Sequence, residues 1–250
     1  MALQAAKAGC VIVWRCRPCQ AIWVTLPEKA LVVYRILLDT YGERELVPRR
    51  EPMHELVSTI LSQRTNWKNE ELAYTRMWER FGSWEAVRDA PTDALARAIA
   101  PSNFAEAKAP QIQRTVGTIL ELRGNTDLSF LADVPVEEGL AWLTALPGVG
   151  IKTAALVLLF CFAKPILPVD THVYRVSQRV GLLSAKVKTS TAAHAPLFKL
   201  LPHEPYLLYN FHIACLLHGQ QLCTFNAPRC ERCPLAPICD YRQRAKGVEG

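Results

Sequence analysis

The stretch Leu146-Pro147-Gly148-Val149-Gly150-Ile151-Lys152-Thr153-Ala154 decides how this chain folds, because it joins two helical segments through a tight turn. Apolar residues repeat with helical spacing over Val136 to Ala145 and again over Ile151 to Ala163. Two glycines around one apolar residue leave the backbone amides of the turn unshielded by side chains. Such a turn before a helix N-terminus suits a phosphate group, although a plain helix–helix connection would look the same.

Helical periodicity continues on both sides of this stretch. No run shows sustained period-2 alternation between turns, so we expect few strands and an all-α protein. Before the turn, we expect a helix near 27–45 and four more: one through Met53, Leu56, Val57, Ile60 and Leu61; one from Leu72 through Met77 and Trp78 to Phe81, ended by Gly82; one around Leu95 and Ile99, capped by Thr92; and one through Ile112, Val116, Ile119 and Leu120. After the turn, we expect a helix capped by Thr171 that ends at Val180, and two more from Ala192 to Leu201 and from Pro205 to His218.

Nine cysteines in 250 residues are the unusual feature of the composition. A small secreted scaffold held by disulfides is excluded, because the chain is long, its cysteine count is odd and half of its residues are hydrophobic. Four of the cysteines follow a C-x6-C-x2-C-x5-C pattern, which predicts a metal centre of thiolate ligands. The spacing alone leaves zinc open beside an iron–sulfur cluster. These four are Cys223, Cys230, Cys233 and Cys239.

The first 25 residues differ from the rest, since they contain three cations, three cysteines and no acidic residue. Their apolar run is too short for a signal peptide. We therefore expect residues 1–25 to be a poorly ordered extension, with Cys16 and Cys19 as an isolated C-x-x-C pair. The longest apolar run, Ala154 to Ala163, is too short to span a membrane. A cytoplasmic bacterial or archaeal protein is expected, with mitochondrial and nuclear locations left open.

The net charge of +6 suits a polyanionic partner such as nucleic acid. However, Lys7, Arg15 and Arg17 supply three of these charges from the extension, which leaves 6 − 3 = +3 for the folded body. Nucleic-acid binding therefore has to depend on where amides and a few cations lie rather than on bulk charge.

Lys152 lies just beyond the turn, and Asp170 opens a second motif, Val169-Asp170-Thr171-His172-Val173-Tyr174-Arg175-Val176. With these two motifs and the four-cysteine spacing, the chain resembles the helix-hairpin-helix glycosylases of base excision repair, most closely the endonuclease III family. The resemblance covers roughly residues 27–241.

The resemblance implies two helical domains with DNA in the cleft between them. One would be a six-helix bundle over residues 50–163 that ends in the helix-hairpin-helix. The other would combine residues 26–49 with 164–250 and hold a [4Fe–4S] cluster on Cys223, Cys230, Cys233 and Cys239. Asn226 and Ala227 stand where relatives often place basic residues in the cluster loop.

The resemblance also assigns roles to single residues. Lys152 would be the nucleophile and Asp170 its acidic partner, although position alone would make Lys152 a surface lysine. Gln63 would fill the gap left by an extruded nucleotide, and Phe104 would wedge into the base stack. Asn103 and Ala105 flank this wedge in place of the family's usual Gly and Tyr. The remaining expected DNA contacts are Pro147, Gly148, Val149, Gly150 and His172, and a structural role for His172 remains open.

The implied function is that of a bifunctional DNA glycosylase and abasic-site lyase. A monomer would remove oxidised pyrimidines from double-stranded DNA through a lysine Schiff base and then cut 3′ to the abasic site by β-elimination. Two alternatives remain. The adenine-mismatch glycosylases of the same superfamily generally lack a lysine at this place and carry a further domain beyond the cysteines. A non-catalytic iron–sulfur protein that binds DNA or senses redox state would leave Lys152 and Asp170 without a chemical role.

Overall fold

The computed structural model describes residues 10–15, 20–48 and 50–246. Helices dominate these residues, so the all-α prediction is confirmed. Three single 3-10 turns, Ser129–Ala132, Cys230–Arg232 and Ala236–Ile238, lie among the helices. The α-helices are α1 Leu26–Tyr41, α2 Pro52–Leu61, α3 Trp67–Phe81, α4 Trp84–Asp89, α5 Thr92–Ala98, α6 Ala105–Arg123, α7 Val136–Ala145, α8 Ile151–Phe162, α9 Thr171–Val180, α10 Ser190–Phe198, α11 Pro205–Gln221 and α12 Asp240–Lys246.

The chain divides into two compact units, one formed by residues 47–166 and the other by residues 1–46 with 167–250. The resemblance predicts that the boundaries between the two domains fall at 49/50 and 163/164. Among the described residues no helix is both long and apolar enough to cross a membrane.

Helix α2 provides the centre of the unit at 47–166. It packs against α3, α6 and α8, and α6 in turn packs against α4 and α5. The apolar stripe of α2 is completely buried, as its spacing predicts. The short helix α4 is an addition that periodicity did not predict, because six residues make less than two turns. The buried stripe consists of Met53, Leu56, Val57, Ile60 and Leu61.

Helix α3 buries only part of the face that its large apolar residues indicate. Met77 is fully buried, as expected, whereas Leu72 and Trp78 are 43% and 36% exposed. Glu70 is also buried, and its carboxylate lies 3.0 Å from the Arg50 guanidinium. Apolar spacing does not predict the burial of this charged residue.

Two predicted helix caps are wrong. Thr92 is the first residue of α5 rather than its cap, and its hydroxyl donates to Gln113 Oε1. Thr171 is likewise the first residue of α9. The cap of α9 is Asp170, since its carboxylate reaches two free amides of the first turn.

The other unit contains α1, α9, α10, α11 and α12 together with a β-hairpin. Strands β1 (Cys10–Arg15) and β2 (Gln20–Thr25) pair antiparallel, and β1 lies against the 3-10 turn Ala236–Ile238. For the residues of these strands the structure differs from the poorly ordered extension that we expected. Several β-branched residues in Cys10–Arg15 favour an extended backbone. Cys16 and Cys19 lie outside the described residues.

Candidate functional site

The helix-hairpin-helix turn is held from behind by α6. Leu146 and Val149 are buried, and Val149 donates its amide to the Leu146 carbonyl at 3.1 Å. Two side chains of α6 bind the backbone of the turn: Gln111 Nε2 donates to the Gly148 carbonyl at 3.0 Å, and Thr115 Oγ1 donates to the Pro147 carbonyl at 2.9 Å. These contacts fix the turn with its carbonyl groups facing the protein.

Gly150 is the N-cap of α8, and no side chain caps the amides of the first turn. No acidic residue lies in that turn either. Gly150 is exposed, with nothing within 4 Å of the place that a Cβ would occupy. The N-terminus of α8 thus combines unshielded amides with the positive end of the helix dipole, which is an environment for an anion.

Lys152 is the second residue of α8 and is half-buried. An acidic residue that was not predicted for this site, Glu55, lies on the neighbouring helix α2. Burial raises the pKa of the Glu55 carboxyl, whereas the charges of Arg50 and Lys152 lower it and the charge of Glu70 raises it. The amine of Lys152 and the carboxyl of Glu55 therefore influence each other.

Arg50 joins this carboxylate to a second one. Its guanidinium lies 3.9 Å from Glu55 and 3.0 Å from Glu70, and both carboxylates are largely buried. Next to them, burial raises the pKa of the Cys161 thiol to about 12, so this cysteine remains protonated. A glutamate inside the apolar run of α2 was the signal in the sequence that indicated a buried charge at this place.

Asp170 precedes α9 with an extended backbone, and its Oδ1 accepts hydrogen bonds from the amides of His172 at 2.8 Å and Val173 at 2.7 Å. The carboxyl group is half-buried. Two hydrogen bonds from the amides of a helix N-terminus hold the carboxyl group in one orientation. Asp170 is thus a fixed carboxylate as well as a candidate catalytic group.

His172 is held by its neighbours within the same unit. Its Nδ1 lies 3.0 Å from Arg175 Nη2, which also donates to the Gly219 carbonyl at 2.7 Å. A Cβ on Gly219 would come within 2.7 Å of the His172 Cβ, so the histidine packs directly on the backbone of α11. These contacts give His172 a structural role, and a DNA contact by this residue stays a prediction.

Gln63 and Phe104 lie on two loops of the unit at 47–166, and the structure brings these loops together. Gln63 follows α2, and Phe104 is the N-cap of α6. Both side chains are exposed, Phe104 by 57% of its surface. An exposed aromatic residue at a helix N-cap is available to contact a partner.

The four predicted cysteine ligands line a single cavity together with Arg179 and His218. Arg179 donates to the Cys223 sulfur at 3.4 Å, and His218 Nε2 lies 3.4 Å from the Cys233 sulfur. Within the described residues, no three potential ligands form a group that would hold a single metal ion. The convergence of four thiols on one cavity nevertheless fits a multinuclear cluster, in which each cysteine binds its own iron.

The loop before Cys230 is tied to α9 by Arg179, a residue that was not predicted to have a role. Its guanidinium donates to the carbonyl groups of Thr224 at 2.7 Å and Phe225 at 2.8 Å. It also lies 4.9 Å from the centre of the Tyr241 ring. In the sequence, only the place of Arg179 on the inner face of a strongly amphipathic helix indicated a role for it. Phe225 itself is 76% exposed at the tip of this loop.

Comparison with known proteins gives these motifs a common context. Residues 57–202 match the HhH-GPD superfamily of base excision DNA repair proteins. The chain is 34% identical over 212 residues to endonuclease III of Thermotoga maritima, across 82% of this chain and 93% of that relative. Endonuclease III of Rickettsia prowazekii is 32% identical over 210 residues, with the same two coverages of 82% and 93%.

A solved structure shows the same fold. It is endonuclease III trapped as a covalent intermediate with DNA in an estranged-adenine complex; the TM-score is 0.74 at 24% identity, over 88% of this chain and 98% of that one. Lys152, Asp170, Gln63 and Phe104 all lie within the matched residues 57–202. The chain therefore belongs to the HhH-GPD superfamily of base excision DNA repair proteins and, within it, to the endonuclease III family of DNA glycosylases.

Proposed function

We propose that this glycosylase is bifunctional: it removes oxidised pyrimidines from double-stranded DNA as a monomer and then cleaves the strand 3′ to the abasic site. The observation that carries the proposal is the position of Lys152 in the first, uncapped turn of α8, directly after the hairpin. The adenine-mismatch branch generally lacks a lysine at this place. The Thermotoga relative named endonuclease III supports the same assignment.

Lys152 is the proposed nucleophile. A free lysine has a pKa of about 10.4 and is protonated at neutral pH, so the amine must lose a proton before it attacks. The positive end of α8 disfavours an ammonium group, which assists this loss, whereas the Glu55 carboxylate acts in the opposite direction. The balance between these two influences sets the fraction of Lys152 that is neutral.

The chemistry proceeds in two stages. The neutral amine bonds to the sugar C1′ while the bond between C1′ and the damaged base breaks, and the base leaves with the proton that the amine gives up. The C1′–O4′ bond then opens, the ring oxygen takes the second amine proton, and an imine (Schiff base) joins Lys152 to the sugar. Loss of a C2′ proton and departure of the 3′ phosphate break the strand.

Asp170 is the proposed second catalytic group. Positive charge develops on the sugar as the base departs, and a fixed carboxylate stabilises it. The hydrogen bonds from the amides of His172 and Val173 hold this carboxylate in one orientation before substrate arrives. Asp170 would also accept the proton that the Lys152 ammonium group has to lose before the neutral amine attacks.

The DNA backbone and the base stack are contacted by other residues. The turn formed by Pro147, Gly148, Val149 and Gly150 would contact a phosphate of the damaged strand, which the uncapped amides in the first turn of α8 would bind. Gln63 and Phe104 would enter the stack when the damaged nucleotide is extruded. The exposed position of both side chains supports these roles.

Cys223, Cys230, Cys233 and Cys239 would hold a [4Fe–4S] cluster, which would stiffen the loop at 223–239. Arg179 and His218 would orient the ligand sulfurs of Cys223 and Cys233. The role of these residues in the reaction is to hold the shape of the loop.

A panel of duplexes tests the proposed function. Wild-type protein is incubated with duplexes that carry thymine glycol, an abasic site, adenine opposite 8-oxoguanine, or no lesion. We expect base loss and strand cleavage on the thymine glycol duplex, strand cleavage alone on the abasic duplex, and no reaction on the other two. Removal of adenine without cleavage would assign the chain to the adenine-mismatch branch, and binding without any reaction would make it a sensor.

A further inference from the structure

A buried lysine joins two loops by hydrogen bonds. The first loop is residues 62–66 after α2, and the second is residues 101–104 before α6. Lys108 of α6 is only 4% exposed. Its ammonium group donates to the Leu61 carbonyl at 2.8 Å, the Gln63 carbonyl at 2.6 Å and the Ser102 hydroxyl at 2.6 Å. The three N–H groups of Lys108 thus have three acceptors: one carbonyl at the end of α2, one carbonyl in the first loop and one hydroxyl in the second loop.

Further hydrogen bonds join the second loop to the end of α2 and to the first loop. Ser102 Oγ donates to the Leu61 carbonyl at 2.8 Å, and Asn103 Nδ2 donates to the Arg64 carbonyl at 2.6 Å. Asn103 is the residue that departs from the family's usual glycine, so this last bond belongs to the chain's own sequence.

The tips of both loops hold strained backbone. Arg64 has a φ of 55° and Phe104 a φ of 63°, the left-handed region, which is strained for a residue other than glycine. The Arg64 guanidinium lies 5.5 Å from the centre of the Phe104 ring, within reach of a cation–π contact. Strain of this kind persists only where surrounding contacts impose it, and it is typical of preorganised sites.

We propose that Lys108 is a positioning residue that joins the two loops into one preformed inserting element, with Gln63 and Phe104 as its two tips. The inference rests on the proposed function, because insertion requires a substrate with an extruded nucleotide. Holding both tips in place before binding removes the entropic cost of ordering them on the DNA.

The hydrogen bonds of Lys108 explain why a cation is buried at this place. Burial lowers the pKa of Lys108 to about 8, so the folded chain bears a cost for this charge. An apolar side chain of similar length would avoid that cost but would leave the Gln63 carbonyl without this donor, and the Leu61 carbonyl would keep only the Ser102 hydroxyl as a side-chain donor. Lys108 therefore serves to hold the two loops in place.

A fluorescence experiment separates positioning from chemistry. A duplex carries thymine glycol with 2-aminopurine as its neighbour, whose emission rises when the stack opens. Wild-type protein and Lys108→Met are compared on this duplex, and both are then assayed for cleavage of an abasic site in single-stranded DNA, where no stack has to be opened. Lys164→Met is the matched control, because Lys164 also binds two backbone carbonyls, those of Ala132 and Val134, elsewhere in the same unit.

We expect Lys108→Met to slow the rise in emission at least tenfold and to change single-strand cleavage less than twofold, with Lys164→Met like wild type on both substrates. Lys108→Met combined with Phe104→Ala should be no slower than Phe104→Ala alone, because Lys108 acts through that tip. Asn103→Ala, an exposed site that leaves the core intact, should slow the rise in the same direction by a smaller factor.

Equal opening rates for wild type, Lys108→Met and Asn103→Ala would overturn the inference while leaving the glycosylase function intact. An equal loss of activity on duplex and single strand in Lys108→Met would also overturn it. Conversely, a wild-type protein that opens the stack but cleaves neither substrate would refute the proposed function and leave the role of Lys108 standing.

Discussion

Gln111 donates a hydrogen bond to the Gly148 carbonyl, and its side chain occupies the space that a Cβ on Gly148 would need, 2.5 Å from Gln111 Nε2. Gly148 also has a φ of 75°, which a residue with a side chain adopts only at a cost. Gly150, two residues later, has open space around it and an ordinary φ of −92°. The two glycines of the hairpin therefore serve different purposes.

This difference predicts that Gly148→Ala lowers the free energy of unfolding by about 1–3 kcal/mol, since both strain and steric conflict contribute. Gly150→Ala should change it by less than about 0.5 kcal/mol. Urea denaturation of the two variants measures this directly. In the double variant Gly148→Ala, Gln111→Ala only the steric part should be relieved. A Gly148→Ala protein as stable as wild type would show that the turn is not held as described.

Asp170 combines a capping role with a proposed catalytic role, and substitution separates the two. Asn and Ser both cap helices well, so Asp170→Asn and Asp170→Ser should retain most of the stability, whereas Asp170→Ala should lose about 0.5–2 kcal/mol. All three should lower the rate of base removal at least 100-fold, because none carries a charge that stabilises the sugar. Thermal melts and single-turnover assays give the two readouts. Full activity in the stable Asp170→Asn variant would remove the catalytic role.

The cysteine cavity predicts about four iron and four sulfide ions per chain in protein purified without air. Serine at Cys223, Cys230, Cys233 or Cys239 should lower the iron content and the visible absorption of the cluster. Cys215→Ser is the control, because Cys215 is a fully buried thiol within α11. Metal analysis that finds about one zinc per chain and no iron would contradict the cluster assignment.

His54 predicts a dependence of stability on pH. Its ring stacks on Tyr74 at 3.6 Å, and burial, together with the nearby Arg50 charge, lowers its pKa to about 4. The unfolded chain binds this proton first as the pH falls, so stability is lost between about pH 6.5 and pH 4. The urea midpoint of wild type should therefore fall more between pH 7 and pH 5 than that of His54→Phe, which keeps the stacked ring.

His203→Phe is the matched control for the exchange of a stacked histidine. His203 also stacks on an aromatic ring, that of Phe198, but it is exposed and lies in the other unit. This variant shows whether replacing a stacked histidine by phenylalanine changes the urea midpoint at pH 7 by itself. An identical loss of stability in wild type and His54→Phe would show that His54 does not titrate as proposed.

Helices and the hairpin were predictable from the sequence because their signals are local. The apolar spacing of α2 and the Pro-Gly-Val-Gly turn depend on residues only a few positions apart. The four cysteines were found for the same reason. The cap of α9 was misplaced by one residue, because Asp170 and Thr171 are both good caps and only the observed hydrogen bonds distinguish them.

Contacts between distant residues could not be predicted in this way. Lys108 and Gln63 lie 45 positions apart, and nothing in either segment indicates that one binds the other. The same holds for Arg50 and Glu70, whose pairing accompanies the burial of a charged residue in α3. The strands β1 and β2 were not predicted, because the charge and cysteine content of residues 1–25 resembles that of an extension, although their β-branched residues favour strands.

The central claim is that Lys152 forms the covalent bond to DNA. Wild-type protein, Lys152→Ala and the control Lys164→Met are mixed with a duplex containing one abasic site in the presence of borohydride, which reduces an imine to a stable amine. We expect a protein–DNA adduct for wild type and Lys164→Met, mapped by mass spectrometry to the peptide that contains Lys152, and none for Lys152→Ala. An adduct of equal yield in Lys152→Ala would contradict the account.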